Sequence, residues 1–257
     1  MTAILAEAGL DALALAVAFA AFFVGAFVKG ALGFGMPLIT MAIVPLFAPV
    51  DLALALNAIV AGTLNVTQTL EGGRALPAIR RFWPAVVALG PGVAVGALLV
   101  SAVDDATLRL LLGVTVLGFV GLTVTGAALA IPPHRERAAG VVTGLVAGVV
   151  GGLTTANGPV LLMYVVGLGL DRGMFRAALG LLFLATALFA GAGFVAVGVI
   201  DAPRAAVALV CLVPAALGNW AGNRAGRRLN QRLFRGAVLA GLAVIGVNYV
   251  ARASGLI

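Results

Sequence analysis

The chain has 257 residues, of which 63% are hydrophobic and only 10% charged, with a mean hydropathy of +1.19. A soluble domain of this length carries about a quarter charged residues, so that class is excluded. The formal charge of +7 comes mainly from arginines in short breaks between apolar runs, a placement that sets membrane orientation and argues against nucleic-acid binding.

The first fifteen residues carry Glu7 and Asp11 and no basic cluster, so no cleaved signal peptide is expected. Apolar stretches then follow at 12–28, 36–48, 51–70, 83–101 and 106–130. A polar break, PPHRER (132–137), separates them from stretches at 139–151, 159–170, 174–199, 204–220 and 236–252. These runs are rich in Ala, Leu, Val and Gly without strict alternation. They predict an all-α polytopic membrane protein and exclude a β-barrel.

The halves resemble each other. GAFVKGALGFGMPLI (25–39) lies on AGVVGGLTTANGPVL (147–161), with Pro37 over Pro159 and Gly30 over Gly152, and Pro91 falls near Pro214. The expected organisation is an N-terminal repeat (1–131), a cytoplasmic linker (132–138) and a C-terminal repeat (139–257). Charge gives the sense of the repeat. The loop 221–235 carries Arg224, Arg227, Arg228, Arg232 and Arg235, whereas its counterpart 101–109 carries Asp104 and Asp105 against Arg109. Corresponding loops have opposite bias, so the repeats are read as inverted, with both termini extracytoplasmic. The stretches 36–48, 139–151 and 159–170 are short of the roughly 30 Å hydrocarbon core. Segments 12–48 and 139–170 are read as broken, re-entrant hairpins, each followed by three transmembrane helices. The chain then has eight full spans, or alternatively ten short ones.

The glycine- and proline-rich breaks draw attention as a site. Irregular backbone at membrane depth must be buried in protein or line a cavity. Pro37 and Pro159 suit the first turn of a helix, whose free N–H groups carry partial positive charge. Gly30, Gly33 and Gly35, and Gly151, Gly152 and Gly158, let backbone approach a ligand. Two such ends brought together make an anion site. Lys29, the chain's one lysine, would add a full charge there, unless it snorkels to the membrane surface. Thr154, Thr155 and Asn157 would add neutral donors, and Phe34 lies inside the first break. Asn57, Asn65 and Gln68 share a helical face and either line the same cavity or bond between helices. Arg172 and Arg176 form a basic vestibule or merely set topology.

The lone Cys211 excludes a disulfide framework. No sequence motif for a metal, a cofactor, a nucleotide or a catalytic triad is visible, so no cofactor and no enzyme activity are expected.

KGALGFGMPLI and GLVAGVVGGLTTANGPVLL resemble the signature segments of the TauE/SafE family of membrane proteins, and the resemblance spans nearly the whole chain. It implies transport of small sulfur-containing anions (sulfite, sulfonates, organosulfonates), usually as export, across a bacterial inner membrane. It also implies that Gly30, Gly33, Gly35 and Pro37, with Gly151, Gly152, Gly158 and Pro159, sit where the substrate is met. The second cluster departs from the family pattern, reading TTAN where many members carry more glycine, so sulfite itself does not follow. An anion channel and a non-transporting scaffold remain as alternatives, and homo-oligomerisation is open.

Overall fold

The computed structural model describes residues 10–70, 73–125, 130–226, 228 and 230–253. Glu7, Glu71, Arg227 and the two chain ends lie outside them, and the side chain of Arg232 is likewise not described. Among the described residues are ten α-helices: α1 (Ala12–Leu32), α2 (Met36–Ile43), α3 (Val50–Leu70), α4 (Ala75–Ala102), α5 (Asp105–Thr125), α6 (Glu136–Thr154), α7 (Gly158–Gly167), α8 (Arg172–Ala196), α9 (Ala202–Ala225) and α10 (Gln231–Ala253). Aspartates cap four of the long ones, Asp11 on α1, Asp104 on α5, Asp171 on α8 and Asp201 on α9, each accepting from first-turn backbone N–H groups.

Eight helices are long and apolar enough to cross a membrane. The other two are short: α2 has 8 residues, extended by a three-residue 3-10 turn, and α7 has 10. At 1.5 Å per residue they reach roughly half the ~30 Å core. The structure therefore has the eight long helices of the first alternative. The two hairpins differ from the sequence expectation in one respect: their first arms, α1 and α6, are 21 and 19 residues long. For α6 the reason is local. Its first turn begins with the polar pair Glu136 and Arg137, and Glu136 takes a two-pronged bond from Arg81 (2.6 and 2.9 Å). Helix therefore begins inside the segment read as linker.

The ends of the helices fix the topology. Asp51 at the start of α3 pairs with Arg204 at the start of α9 (2.7 Å), and the Val50 N–H donates to Asp105 at the start of α5 (3.2 Å). The first turns of α1 pack into the same cluster as Val50. At the opposite end, Arg81 near the start of α4 meets the start of α6, and Arg74 meets Asp171 at the start of α8 (3.5 Å). Arg235, in the first turn of α10, reaches the Thr123 carbonyl near the end of α5 (3.4 Å). When α1–α5 are laid on α6–α10, every long helix runs opposite to its counterpart. The halves are inverted.

Packing follows the same exchange. α4 packs on α6, α9 packs on α1, and α3 pairs with α8 as α5 pairs with α10. The α4–α6 contact is made by glycines: Gly92 and Gly96 lie against Gly148 and Gly152, so a Cβ at any of them would strike the facing backbone. In the mate contact, Gly218 and Gly222 of α9 press on the Phe23 and Phe27 backbone of α1. Small residues let helices approach where lipid supplies no hydrophobic drive between them. α3 is the most enclosed long helix (67% buried) and α10 the least (17%), so α3 and α8 form the centre and α5 and α10 the rim.

Candidate functional site

Each hairpin turns through a left-handed residue. α1 ends at Gly33 (φ 88°), whose N–H returns to the Lys29 carbonyl (2.6 Å). α6 ends at Thr155 (φ 53°), whose N–H returns to the Gly151 carbonyl (2.9 Å). Gly35 (φ 103°) then opens α2, and Asn157 opens α7. Pro37 and Pro159 sit in the first turns, where proline's missing N–H costs nothing. Both short helices run back along the arm that precedes them. A Cβ at Gly25 of α1 would touch Met36 and Thr40 of α2, and the Tyr164 hydroxyl of α7 donates to the Glu136 carbonyl at the start of α6 (3.3 Å).

The two turns meet at a cavity of about 30 Å³. A single water needs ~10–15 Å³ by this measure, so the cavity has room for about two. It is lined by Lys29, Phe34, Gly35 and Pro37 from the first break and Thr155, Asn157 and Gly158 from the second. Asn57 and Asn65 of α3 line it too, with Ala61 between them on the same face. Sequence reasoning had not singled out Thr186 or Phe183 of α8, which complete the wall. Nor had it found Thr40, whose hydroxyl bonds Asn57 Oδ1 (2.7 Å) and fixes the Asn57 side chain. A hydroxyl one turn into α2, or facing the cavity from α8, carries no local signature.

Asn57 is fully buried, and its Nδ2 has no hydrogen-bond partner; Asn65 Oδ1 is likewise buried without one. A buried polar group left unpaired costs about 1–3 kcal/mol, so such atoms call for a ligand or water. Asn157 is held differently: its Nδ2 donates to Thr186 Oγ1 (3.0 Å) and to the Ala147 carbonyl (3.1 Å). Lys29 is 4% exposed and donates to Gln68 Oε1, so it does not snorkel to the membrane surface.

Other expected site residues lie off the cavity. Gly30 and Gly152, equivalent in the two halves, are packing contacts: Gly30 faces the Asn219–Asn223 backbone of α9, and Gly152 faces α4. Gly151 backs onto Thr186 and Asn157. Thr154 bonds the Val150 carbonyl (2.7 Å) within its own helix. Gly33 serves as the cap, and its carbonyl accepts from Gln68 Nε2 (2.9 Å). Gln68 thus ties α1 to α3 rather than lining the cavity. Pro159 faces a neighbouring cleft. Arg172 is exposed, and Arg176 reaches Asn223 (3.5 Å); neither lines the cavity.

The arrangement suits an anion. The first-turn N–H groups of α2 and α7 have no intrahelical acceptor and carry the positive ends of both dipoles. Among the described residues no Asp, Glu, His or Cys lines the cavity. Among the described residues no group of three or more such side chains could hold a metal ion.

A family model described as Sulfite exporter TauE/SafE matches residues 17–249, most of the chain, and the chain belongs to that family. It is a multi-pass membrane protein of a transporter family. Comparison with curated proteins and with solved structures gave no match.

Proposed function

We propose that this TauE/SafE family member moves a small sulfur-containing anion (sulfite, a sulfonate or an organosulfonate) by alternating access. The anion sits between the N-termini of α2 and α7, near Lys29, and takes a hydrogen bond from Asn57. Gly35, Pro37, Asn65, Thr155, Asn157 and Gly158 complete the wall. The observation that carries this reading is the orphaned Asn57 Nδ2, buried in a cavity onto which two helix N-termini converge.

Direction and sidedness belong to the same reading. The end bearing Arg74, Arg80, Arg81, Arg135 and Arg137 is cytoplasmic by the positive-inside rule, in a bacterial inner membrane, with both chain ends outside. The repeats are bounded at 1–131 and 139–257, and the chain performs no catalysis. Export of a monoanion is driven by a negative-inside potential at about 2.3 kcal/mol per charge per 100 mV, so no coupling ion is required.

The test is thermal stabilisation of the purified protein by sulfite, sulfate, thiosulfate, sulfoacetate, taurine and chloride, with flux of the stabilising anions in proteoliposomes. A selective shift, lost in Lys29→Ala, and saturable flux are expected. No shift and no flux with any of them would overturn the reading.

A further inference from the structure

We propose that a second anion site lies in the cleft along α7, built for an organic anion with a short apolar body, and that Phe34 separates it from the central cavity. The inference rests on the anion-carrying reading above. Pro159, Leu162, Met163 and Val166 place one face of α7, from its first turn to its last, along this cleft. The cleft therefore runs from the level of the central cavity to the arginine-rich end. Its volume is about 350 Å³, within the ~300–1,000 Å³ typical of ligand sites. The central cavity, at about 30 Å³, holds little more than two waters. In this conformation an organic anion fits the cleft and not the cavity.

The chemistry of the cleft follows from its wall. Among the described residues Arg235 is the one charged side chain lining it, and the rest are apolar save Thr123. Arg235 has five N–H donors, one of which makes a long 3.4 Å contact with the Thr123 carbonyl. A sulfonate or carboxylate head pairs with the guanidinium, and the apolar body lies against Phe119, Leu122 and Leu162. Phe34 belongs to the walls of both the cleft and the central cavity, and this shared wall favours the transported anion over a lipid as occupant.

Phe34 lines both spaces and sits edge-on to Phe119 (centroids 6.1 Å apart). It is flanked by Gly33 and Gly35, both at positive φ. Two adjoining residues with few backbone restrictions give the ring a hinge on either side.

The other half shows the closed counterpart. Laying α2 on α7 puts Thr40, Met41 and Val44 over Leu162, Met163 and Val166. Thr40, Met41 and Val44 are at most 1% exposed, whereas Val166 is 43% exposed. Tyr249 donates to the Ala42 carbonyl (2.9 Å) and Arg109 to the Pro45 carbonyl, filling the equivalent place. In an inverted repeat, this difference between halves defines which end is open.

The test uses single-cysteine variants in a Cys211→Ala background, with Met163→Cys and Leu162→Cys in the cleft and Ala187→Cys in the cavity. A sulfonate-bearing thiol reagent is applied at the arginine-rich face. The cleft cysteines are expected to react, and butanesulfonate to protect them better than sulfite does. Arg235→Gln should raise the half-protecting concentration about tenfold, the loss expected for one charged hydrogen bond. Ala187→Cys should stay unreactive until Phe34→Ala is added. Four results would each overturn the proposal: unreactive cleft cysteines, protection indifferent to Arg235→Gln, equal protection by sulfite, or a co-purified phospholipid whose removal exposes the cleft. Flux without protection would sink the cleft site alone; protection without flux would sink the transport reading alone.

Discussion

Gly33 and Thr155 occupy the same left-handed position at the ends of α1 and α6, each returning its N–H to the carbonyl four residues back. One half meets the requirement with glycine and the other with a β-branched residue. A Cβ at Gly33 would meet nothing within 4 Å, so any cost of substitution there is conformational. Gly33→Thr should destabilise by about 1–2 kcal/mol, the ordinary penalty for this backbone region. Thr155→Gly should leave stability unchanged or raise it, since relief of strain offsets added chain entropy. Thermal unfolding of the two variants in detergent, side by side, checks the pair.

The inter-half glycines should be much less tolerant than the glycines of the rim. A Cβ at Gly152 or Gly148 would collide with α4 carbonyls, while at Gly118 on α5 it would meet open space. Gly152→Ala should cost about 1–3 kcal/mol, as overpacking does. Gly118→Ala should be neutral or gain up to about 1 kcal/mol from helix propensity. Equal melting temperatures for the two variants would contradict the packing described for α4 and α6.

Asn57 should matter for the ligand more than for the fold. Its Nδ2 is unpaired, and its Thr40 partner also bonds the Met36 carbonyl (2.9 Å). Asn57→Ala should therefore change stability little. It should raise the half-saturating anion concentration at least about tenfold, because a hydrogen bond to a charged group is worth ~1.5–3 kcal/mol. Titrating the stabilising anion against melting temperature separates the effects. An unchanged midpoint would remove Asn57 from the site.

Asp171 should give α8 a pH-dependent anchor. Its carboxylate accepts from the Met174 and Gly173 N–H groups, and the Met174 bond is the main reason its pKa lies below the usual aspartate value. A lowered folded pKa contributes stability that is fully present above the unfolded value of about 3.9. That contribution disappears as pH falls through the folded pKa. The melting-temperature gap between wild type and Asp171→Asn should be largest at neutral pH and close under acid conditions. A gap that widens on acidification would reverse the sign of this assignment.

Much of the molecule is legible in the sequence. Composition alone dictates helices in a bilayer, because lipid offers no partner for unpaired backbone. The Gly–Pro breaks mark where helix must stop, and they are matched in the two halves because each hairpin has to reverse inside the membrane. Opposite charge on corresponding loops carries the inversion.

Other features depend on which helix faces which, and no local pattern reports that. Gly30 and Gly35 look alike as letters in one motif. Contact with α9 makes the first a packing residue, while the second opens onto the cavity. Lys29 reads equally well as a snorkelling end or a buried charge until Gln68, 39 residues away, is brought to it. Asn57 and Gln68 share a helical face, yet α1 takes up Gln68 and the cavity keeps Asn57. The sequence by itself determined the helices, their breaks and their inverted order, because these follow from local polarity and backbone chemistry. Only the tertiary structure decided which buried polar atoms find a protein partner and which do not, because that depends on contacts between segments far apart in the chain.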